Sequence, residues 1–302
     1  MYQTCAWPRE TGLLETPMEI AGTDIMVVRP YDGRRIRKAL LDFDGTLSRE
    51  REGWINLMVA CNLGALCQAV DDTKPEEALE WVIGDIEKTI GVPTYTQMRR
   101  LADEIRRRGG EPKEPGEYKG VYTSLLGMLV RKRHDKMESG TLYPSDLQVT
   151  GSTHLLSNLA ARIGSDSMYI ASGTDIGPVL ESVRRLGYDK FFGEQNIVAA
   201  GSSGDPEQCA KQMVIERLAR EQNLQPGELL CIGDGFPEVL YTYHAGGICV
   251  GVVTPDKSNY RHLGHFTPEK KRDRLVRAGA HILVPHFLDS EELVNTIFSA
   301  QP

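Results

Sequence analysis

Short apolar runs that end in aspartate or glycine recur along this chain, and helical patterns separate them. The runs occupy residues 38–43, 168–171, 229–232, 247–253 and 280–284. Helices are predicted over residues 153–163, 176–186, 206–222, 237–244, 270–278 and 290–298. Continuous apolar runs alternating with helices are typical of a parallel sheet whose two faces are covered by crossover helices. The sequence therefore predicts an α/β fold with a doubly wound parallel sheet at its core.

Residues 50–138 differ, because they contain helical periodicity and no convincing strand. One apolar stripe runs from Trp54 to Val70 and another from Ala78 to Ile90, and two further helices are predicted over residues 96–108 and 118–133. The glycines and prolines of residues 109–116 predict a turn between them. We therefore predict an inserted all-helical domain over residues 50–138, and a Rossmann-like core over residues 37–49 and 139–302.

Residues 1–36 are interpreted as an N-terminal extension. Residues 24–29 and 35–41 flank Tyr31-Asp32-Gly33, and Asp-Gly is a favoured pair in tight turns. This pattern predicts a hairpin that leads into the first core strand.

The charge balance excludes some partners. The chain of 302 residues has 35 Lys plus Arg against 42 Asp plus Glu, which gives a net charge of -7. An acidic protein is poorly suited to coat nucleic acid or an anionic membrane. No apolar run reaches the roughly 18 residues that cross a bilayer, and the first ten residues lack the apolar stretch of a secretory signal. We therefore expect a cytoplasmic protein with no nucleic-acid or membrane partner; the oligomeric state stays open.

The chemistry is concentrated in Asp42-Phe43-Asp44-Gly45-Thr46, which directly follows the first predicted strand. In doubly wound sheets, ligands bind at the carboxyl ends of the strands. Strand alternation points Asp42 and Asp44 the same way and Phe43 into the core. Two carboxylates held close together raise each other's pKa, and a hard divalent cation such as Mg²⁺ compensates for their charge.

These residues resemble the first motif of the haloacid dehalogenase-like (HAD) hydrolase superfamily, and the resemblance extends over the whole predicted core. It implies that Asp42 is the nucleophile toward phosphorus and that Asp44 is the general acid and base. Three further motifs match: Ser172 within Ile170-Ala171-Ser172-Gly173-Thr174, Lys211, and Asp234 within the run that ends at Glu238. Lys190 is a rival for the lysine position. The resemblance implies a magnesium site formed by Asp42, Asp44, Asp234 and Glu238, although aspartate is commoner than glutamate at the last position.

The resemblance also implies how a substrate is held. Ser172 and Lys211 are expected to contact the transferring phosphoryl group as part of the catalytic set with Asp42 and Asp44. The predicted substrate-binding residues are Thr46, Gly173, Thr174, Arg51 and Gln97, the last two from the helical insert. Basic runs such as residues 270–272 are interpreted as helix faces, because they lack interleaved aromatic residues.

Asp44 favours a phosphatase or a phosphomutase within this superfamily, and the insert resembles its helical cap. More narrowly, residues 42–54 and 107–112 are similar to phosphatase-like proteins associated with sugar kinases. The leading hypothesis is thus a Mg²⁺-dependent phosphatase that hydrolyses a small phosphorylated metabolite, a sugar phosphate, through an aspartyl-phosphate. A phosphomutase with the same residues and a non-catalytic phosphate-binding module are the alternatives.

Overall fold

The computed structural model describes residues 12–71, 73–200 and 210–301. Its strands are β1 (Met18–Glu19), β2 (Met26–Val27), β3 (Tyr31–Asp32), β4 (Lys38–Leu41), β5 (Met168–Asp175), β6 (Ile197–Ala200), β7 (Leu229–Gly233), β8 (Ile248–Val252), β9 (Ile282–Val284) and β10 (Ala300–Gln301). Its helices are α1 (Trp54–Ala69), α2 (Pro75–Thr89), α3 (Thr94–Arg107), α4 (Pro115–Glu138), α5 (Ser152–Ile163), α6 (Ile176–Arg185), α7 (Ala210–Glu221), α8 (Phe236–His244), α9 (Pro268–Ala278) and α10 (Ser290–Ile297). Within these ranges no helix combines the length and the apolar character that crossing a bilayer requires.

The central sheet has eight strands in the order β1-β2-β9-β8-β7-β4-β5-β6. The six strands from β9 to β6 are parallel, whereas β1 and β2 add an antiparallel edge. The chain runs from β4 outward through β5 and β6, then returns to β7 on the other side of β4. The carboxyl end of β4 is therefore the switch point at which doubly wound sheets bind ligands. The predicted fold class is confirmed.

Alternation along β4 divides the apolar side chains between two helical layers. Ala39 and Leu41 pack in the cluster that α5, α6 and α10 cover, whereas Leu40 packs in a cluster with α7. All three side chains are fully buried, and each buried leucine contributes about 1.5–3 kcal/mol. Burial on both faces explains why β4 is a continuous apolar run.

Helices α1 to α4 lie between β4 and β5 in the chain and have a hydrophobic cluster of their own. Phe266, from the segment before α9, is buried in that cluster. Glu87 of α2 accepts a hydrogen bond from the Phe266 backbone N–H (2.9 Å) and pairs with Lys270 (3.2 Å). Apolar and ionic contacts thus dock the inserted helices on the core.

The predicted hairpin between residues 24–29 and 35–41 is wrong, although β1 and β2 form a different hairpin closer to the N-terminus. Strand β2 pairs antiparallel with β1 and with β9, and β3 pairs with β10 near the C-terminus. Both edges of β4 are already occupied by the parallel strands β5 and β7, so no edge is left for an upstream partner. A local turn does form, since the Ile36 N–H donates to the Gly33 carbonyl (3.2 Å), but it joins strands with different partners.

Two further differences concern element limits. Strand β6 was not predicted, and α4 begins at Pro115, inside the predicted turn. Pro115 occupies the first position of α4, where the missing N–H costs nothing, and Glu114 and Glu117 form a capping box around it. The predicted start of the helix at residue 206 lies outside the described residues.

Candidate active site

Asp42 stands directly beyond β4. Its backbone N–H donates to the Ile232 carbonyl of β7 (2.9 Å), which continues the alignment of the two strands. Phe43 turns into the core, where its ring meets Tyr188 edge-on at 6.4 Å between centroids. The Asp42 side chain is buried, with the residue only 4% exposed, and burial raises the pKa of its carboxyl group. Strand pairing and core packing thus fix a buried carboxylate at the switch point.

The turn after Asp42 brings two carboxylates together. Gly45 has a positive φ of 86°, and a β-carbon there would lie 2.3 Å from Asp234 Oδ2, so only glycine lets this loop approach Asp234. The Thr46 hydroxyl lies 3.5 Å from Asp42 Oδ2 and 3.4 Å from Asp234 Oδ1. Thr46 is thus positioned between two acidic groups.

Lys211, on α7, is the cation closest to Asp42. Its ammonium group lies 2.9 Å from Asp42 Oδ1 and 2.8 Å from Glu238 Oε2, and the residue is 3% exposed. Burial alone would lower the pKa of Lys211, but these two carboxylates hold it well above its usual range. An ammonium has three N–H bonds, and two carboxylates among the described residues accept from the one on Lys211.

Oxygen atoms of Asp42, Asp234 and Glu238 lie within 4.8 Å of one another. Carboxylate oxygens are the ligands that Mg²⁺ prefers, so this group fits a magnesium ion. Glu238 also caps the N-terminus of α8, because its Oε1 accepts a hydrogen bond from the Gly235 N–H (2.7 Å). The Glu238 carboxylate thus contacts two groups at once: Oε1 caps the helix and Oε2 accepts from Lys211.

The Asp44 carboxylate has partners outside this group. Arg51 donates to its Oδ1 (2.9 Å) and the Thr174 hydroxyl donates to its Oδ2 (2.8 Å). Arg51 is itself buried and contacts the Ser182 hydroxyl (3.2 Å) of α6. The structure therefore separates Asp44 from the other three predicted metal ligands, and it uses Arg51 and Thr174 to hold Asp44.

A cleft opens above these residues. Core residues on one side of it include Asp42, Ser172, Gly173 and Lys211, whereas Trp54, Gln97 and Tyr122 line it from the inserted helices. Ser172 is buried, and its hydroxyl accepts from the Thr174 N–H (3.1 Å). The cleft continues into a cavity of about 520 Å³ between α4 and α6. A ligand at Asp42 thus has room to extend between the helical insert and the core.

Gln97 holds its side-chain amide against two backbone carbonyls. Its amide nitrogen donates to the Thr89 carbonyl (2.7 Å) and the Val92 carbonyl (3.2 Å), which fixes the orientation of the amide. Its Oε1 is buried and has no hydrogen-bond partner among the described residues. Buried acceptors are rarely left unpaired, and Gln97 also lines the cleft.

Comparison with known proteins gives the fold a name. No family model and no curated protein matches the sequence, but solved structures do. They include a haloacid dehalogenase-like protein from Agrobacterium tumefaciens (15% identity, TM-score 0.53, 87% of this chain and 97% of the other). This chain has the HAD-like fold. A second is a phosphonoacetaldehyde hydrolase-like protein from Oleispira antarctica (14% identity, TM-score 0.55, 89% of this chain and 94% of the other). A third is a β-phosphoglucomutase from Clostridium difficile (14% identity, TM-score 0.51, 87% of this chain and 97% of the other).

The HAD-like core and the inserted helices together bring all the predicted site residues to one edge of the sheet. Around the cleft lie Asp42, Asp44, Arg51, Gln97, Ser172, Gly173, Thr174, Lys211 and Asp234, with Thr46 and Glu238 directly beneath. Lys190 is exposed and its ammonium lies over the Phe191 ring (5.0 Å), so the structure favours Lys211 over this rival. The catalytic roles of these residues stay predictions.

Lys271 is a site residue that the sequence reasoning missed. It lies in the basic run 270–272, to which the sequence assigns no role in the site, yet it is 2% exposed and contacts Asp234 Oδ2 at 2.8 Å. Burial would raise the pKa of Asp234, but Lys271 lowers it below its usual value. A signal was present: Lys271 precedes Leu275 by four positions and Ala278 by seven, the spacing of one helix face.

Proposed function

We propose that this chain is a Mg²⁺-dependent phosphatase that hydrolyses a small phosphomonoester through an aspartyl-phosphate on Asp42. One observation carries the proposal: the buried Asp42 carboxylate is paired with Lys211 and lies beside Asp234 and Glu238, at the switch point of a HAD-like sheet. A purely structural ion pair would not need a cleft above it or a second aspartate two positions later.

The first half of the reaction forms the intermediate. A carboxylate oxygen of Asp42 attacks phosphorus, the bond from phosphorus to the ester oxygen breaks, and Asp44 gives a proton to the departing alkoxide. Lys211 and the Ser172 hydroxyl stabilise the phosphoryl oxygens as charge shifts onto them. Asp42, Asp234 and Glu238 would hold Mg²⁺, which supplies the positive charge that lets an anionic nucleophile approach a phosphate dianion.

The second half regenerates the enzyme. Asp44, now a carboxylate, takes a proton from water while the water oxygen attacks phosphorus, and the bond to the Asp42 oxygen breaks. Inorganic phosphate leaves, and Asp42 is again a carboxylate. Arg51 and Thr174 bind both oxygens of Asp44 (2.9 and 2.8 Å), so these two residues set its orientation toward the cleft.

A sugar phosphate is the substrate class that we propose. Gln97 Oε1 is a neutral acceptor on the inserted helices, and a hydroxyl group is the donor that suits it, whereas a second phosphate would meet an oxygen lone pair. The cavity between α4 and α6 is lined by both charge signs, including the Lys119–Asp175 pair (2.9 Å). Such a lining favours a neutral, hydrogen-bonding leaving group.

The role of Gln97 leads to a selective prediction. In Gln97→Leu, kcat/KM for the best polyol phosphate should fall about 3- to 10-fold, the value of one neutral hydrogen bond, mainly through KM. For p-nitrophenyl phosphate, which has no hydroxyl, kcat/KM should change less than about twofold. Steady-state kinetics on both substrates measures the difference, and equal losses on the two would contradict a contact with a substrate hydroxyl.

A panel of phosphorylated metabolites tests the function itself. Purified protein with Mg²⁺ should release inorganic phosphate together with an equal amount of the dephosphorylated alcohol. An isomeric phosphate without phosphate release would instead indicate the phosphomutase alternative. Tight binding of a phosphate ester without any turnover across the panel would indicate a binding module and would overturn the proposal.

A further inference from the structure

Lys271 is buried beside the candidate active site, where three oxygen atoms surround its ammonium group. The ammonium lies 2.8 Å from Asp234 Oδ2, 2.9 Å from the Thr254 carbonyl oxygen and 3.4 Å from Asp256 Oδ1. It lines a small cavity with Thr254 that adjoins the cleft and shares Asp44, Arg51, Asp234 and Asp256 with it, whereas Ser172 and Lys211 line only the cleft. Lys271 therefore contacts Asp234 from the neighbouring cavity, whereas Lys211 lines the cleft itself.

The number of acceptors defines what Lys271 can do. Three oxygens surround an ammonium that has three N–H bonds, so each N–H has a protein partner and none is left for a substrate. Lys211 differs, because two carboxylates of the described residues accept from it. The two buried lysines thus differ in their proposed roles. Lys211 can bind a phosphoryl oxygen, whereas all three N–H groups of Lys271 donate to protein oxygens.

The geometry points to Lys271 as a positioning residue for the metal ligand Asp234, an inference that rests on the proposed function. With Oδ2 held by Lys271, Asp234 turns its Oδ1 toward Thr46 and the Asp42 side of the site. The Thr254 carbonyl and Asp256 fix the ammonium in turn. Groups that orient metal-binding side chains typically contribute 10- to 100-fold to metal affinity.

Direct metal titration tests this role. Isothermal titration of Mg²⁺ and of Mn²⁺ into metal-free Lys271→Met should give a Kd about 10- to 100-fold weaker than wild type. The Mg²⁺ concentration for half-maximal activity should rise by the same factor, whereas kcat at saturating Mg²⁺ should return to within about threefold of wild type, because no N–H of Lys271 reaches the substrate. The neighbouring Lys270→Met is the matched control: Lys270 is half exposed and pairs with Glu87, so its metal affinity should not change.

A second variant covers the case in which Lys271→Met does not fold, since it leaves the buried Asp234 and the partly buried Asp256 without their cation. Lys271→Arg keeps the charge, but a planar guanidinium cannot place one nitrogen among the same three oxygens, so its metal affinity should also fall, by at least about threefold. Unchanged or tighter metal binding in the folded variants would overturn the inference, as would a low kcat at saturating Mg²⁺ with an unchanged Kd.

The two proposals fail in distinguishable ways. If wild type binds Mg²⁺ and the Lys271 variants bind it equally well, the phosphatase proposal stands and the positioning role is wrong. If wild type hydrolyses no phosphate ester but the variants still lose metal affinity, the positioning role stands and the phosphatase proposal is wrong. If wild type binds neither Mg²⁺ nor Mn²⁺, both are wrong.

Discussion

Replacing Asp42 by asparagine is expected to lower kcat by about four to six orders of magnitude, the scale of losing a nucleophile. Asparagine has nearly the same shape but lacks the charged oxygen that attacks phosphorus. The fold should persist, because the backbone N–H of residue 42 still donates to the Ile232 carbonyl and Phe43 still packs on Tyr188. Phosphate release under saturating Mg²⁺ measures the loss, and thermal unfolding checks the fold.

Two observations sharpen the Asp42→Asn experiment. Acid-quenched wild-type enzyme should contain a covalent phosphoprotein during turnover, and the variant should not. Asp273→Asn, an exposed aspartate of α9, is the matched control and should retain full activity. Turnover in Asp42→Asn comparable to wild type would rule out the aspartyl-phosphate mechanism.

Replacing Lys211 by methionine is expected to damage both stability and activity. Its removal leaves Asp42 and Glu238, both almost fully buried, without the cation that they share. Breaking a buried ion pair in this way costs about 3–5 kcal/mol of unfolding free energy, which urea unfolding measures. The phosphoryl oxygens also lose a charged donor, so kcat at saturating Mg²⁺ should fall by about 10²- to 10³-fold.

Lys190→Met is the control for that experiment, because Lys190 is exposed and its contact is with the Phe191 ring. The free energy of unfolding of this variant should lie within about 0.5 kcal/mol of the wild-type value, and its activity should be unchanged. The reverse pattern, with Lys190 essential and Lys211 dispensable, would show that the lysine position was assigned to the wrong residue.

Burial explains which parts of the fold were predictable. Strands β4, β5, β7, β8 and β9 lie deep in the sheet, so their sequences are continuous apolar runs that stand out between helices. Strand β6 was missed because it has four residues, two of them alanine, at an edge of the sheet. The hairpin prediction failed because β2 pairs with β1 and β9 and β3 pairs with β10, and a turn signal at Asp32-Gly33 contains no information about these partners.

The sequence likewise predicts some residues of the candidate site and not the contacts of others. Asp42, Ser172 and Asp234 stand at or near the carboxyl ends of β4, β5 and β7, and Lys211 stands near the start of α7, so the order of strands and helices brings them to one edge. The contacts of Asp44 with Arg51 and Thr174 depend on side-chain directions that spacing does not specify. Lys271 escaped because a charged residue within a basic run predicts exposure, and only tertiary packing against Asp234 and Asp256 reverses that expectation.

The central position of β4 has a consequence for the order in which this protein folds. Asp42 follows β4, a strand near the beginning of the chain. The two strands that flank β4 come later: β5 lies in the middle of the chain and β7 begins at residue 229. During synthesis, β4 must wait for β7 to leave the ribosome before both of its edges are paired. Until then an apolar strand has an open edge, which invites pairing with other chains. The residue proposed to start the chemistry is made early and set in place late.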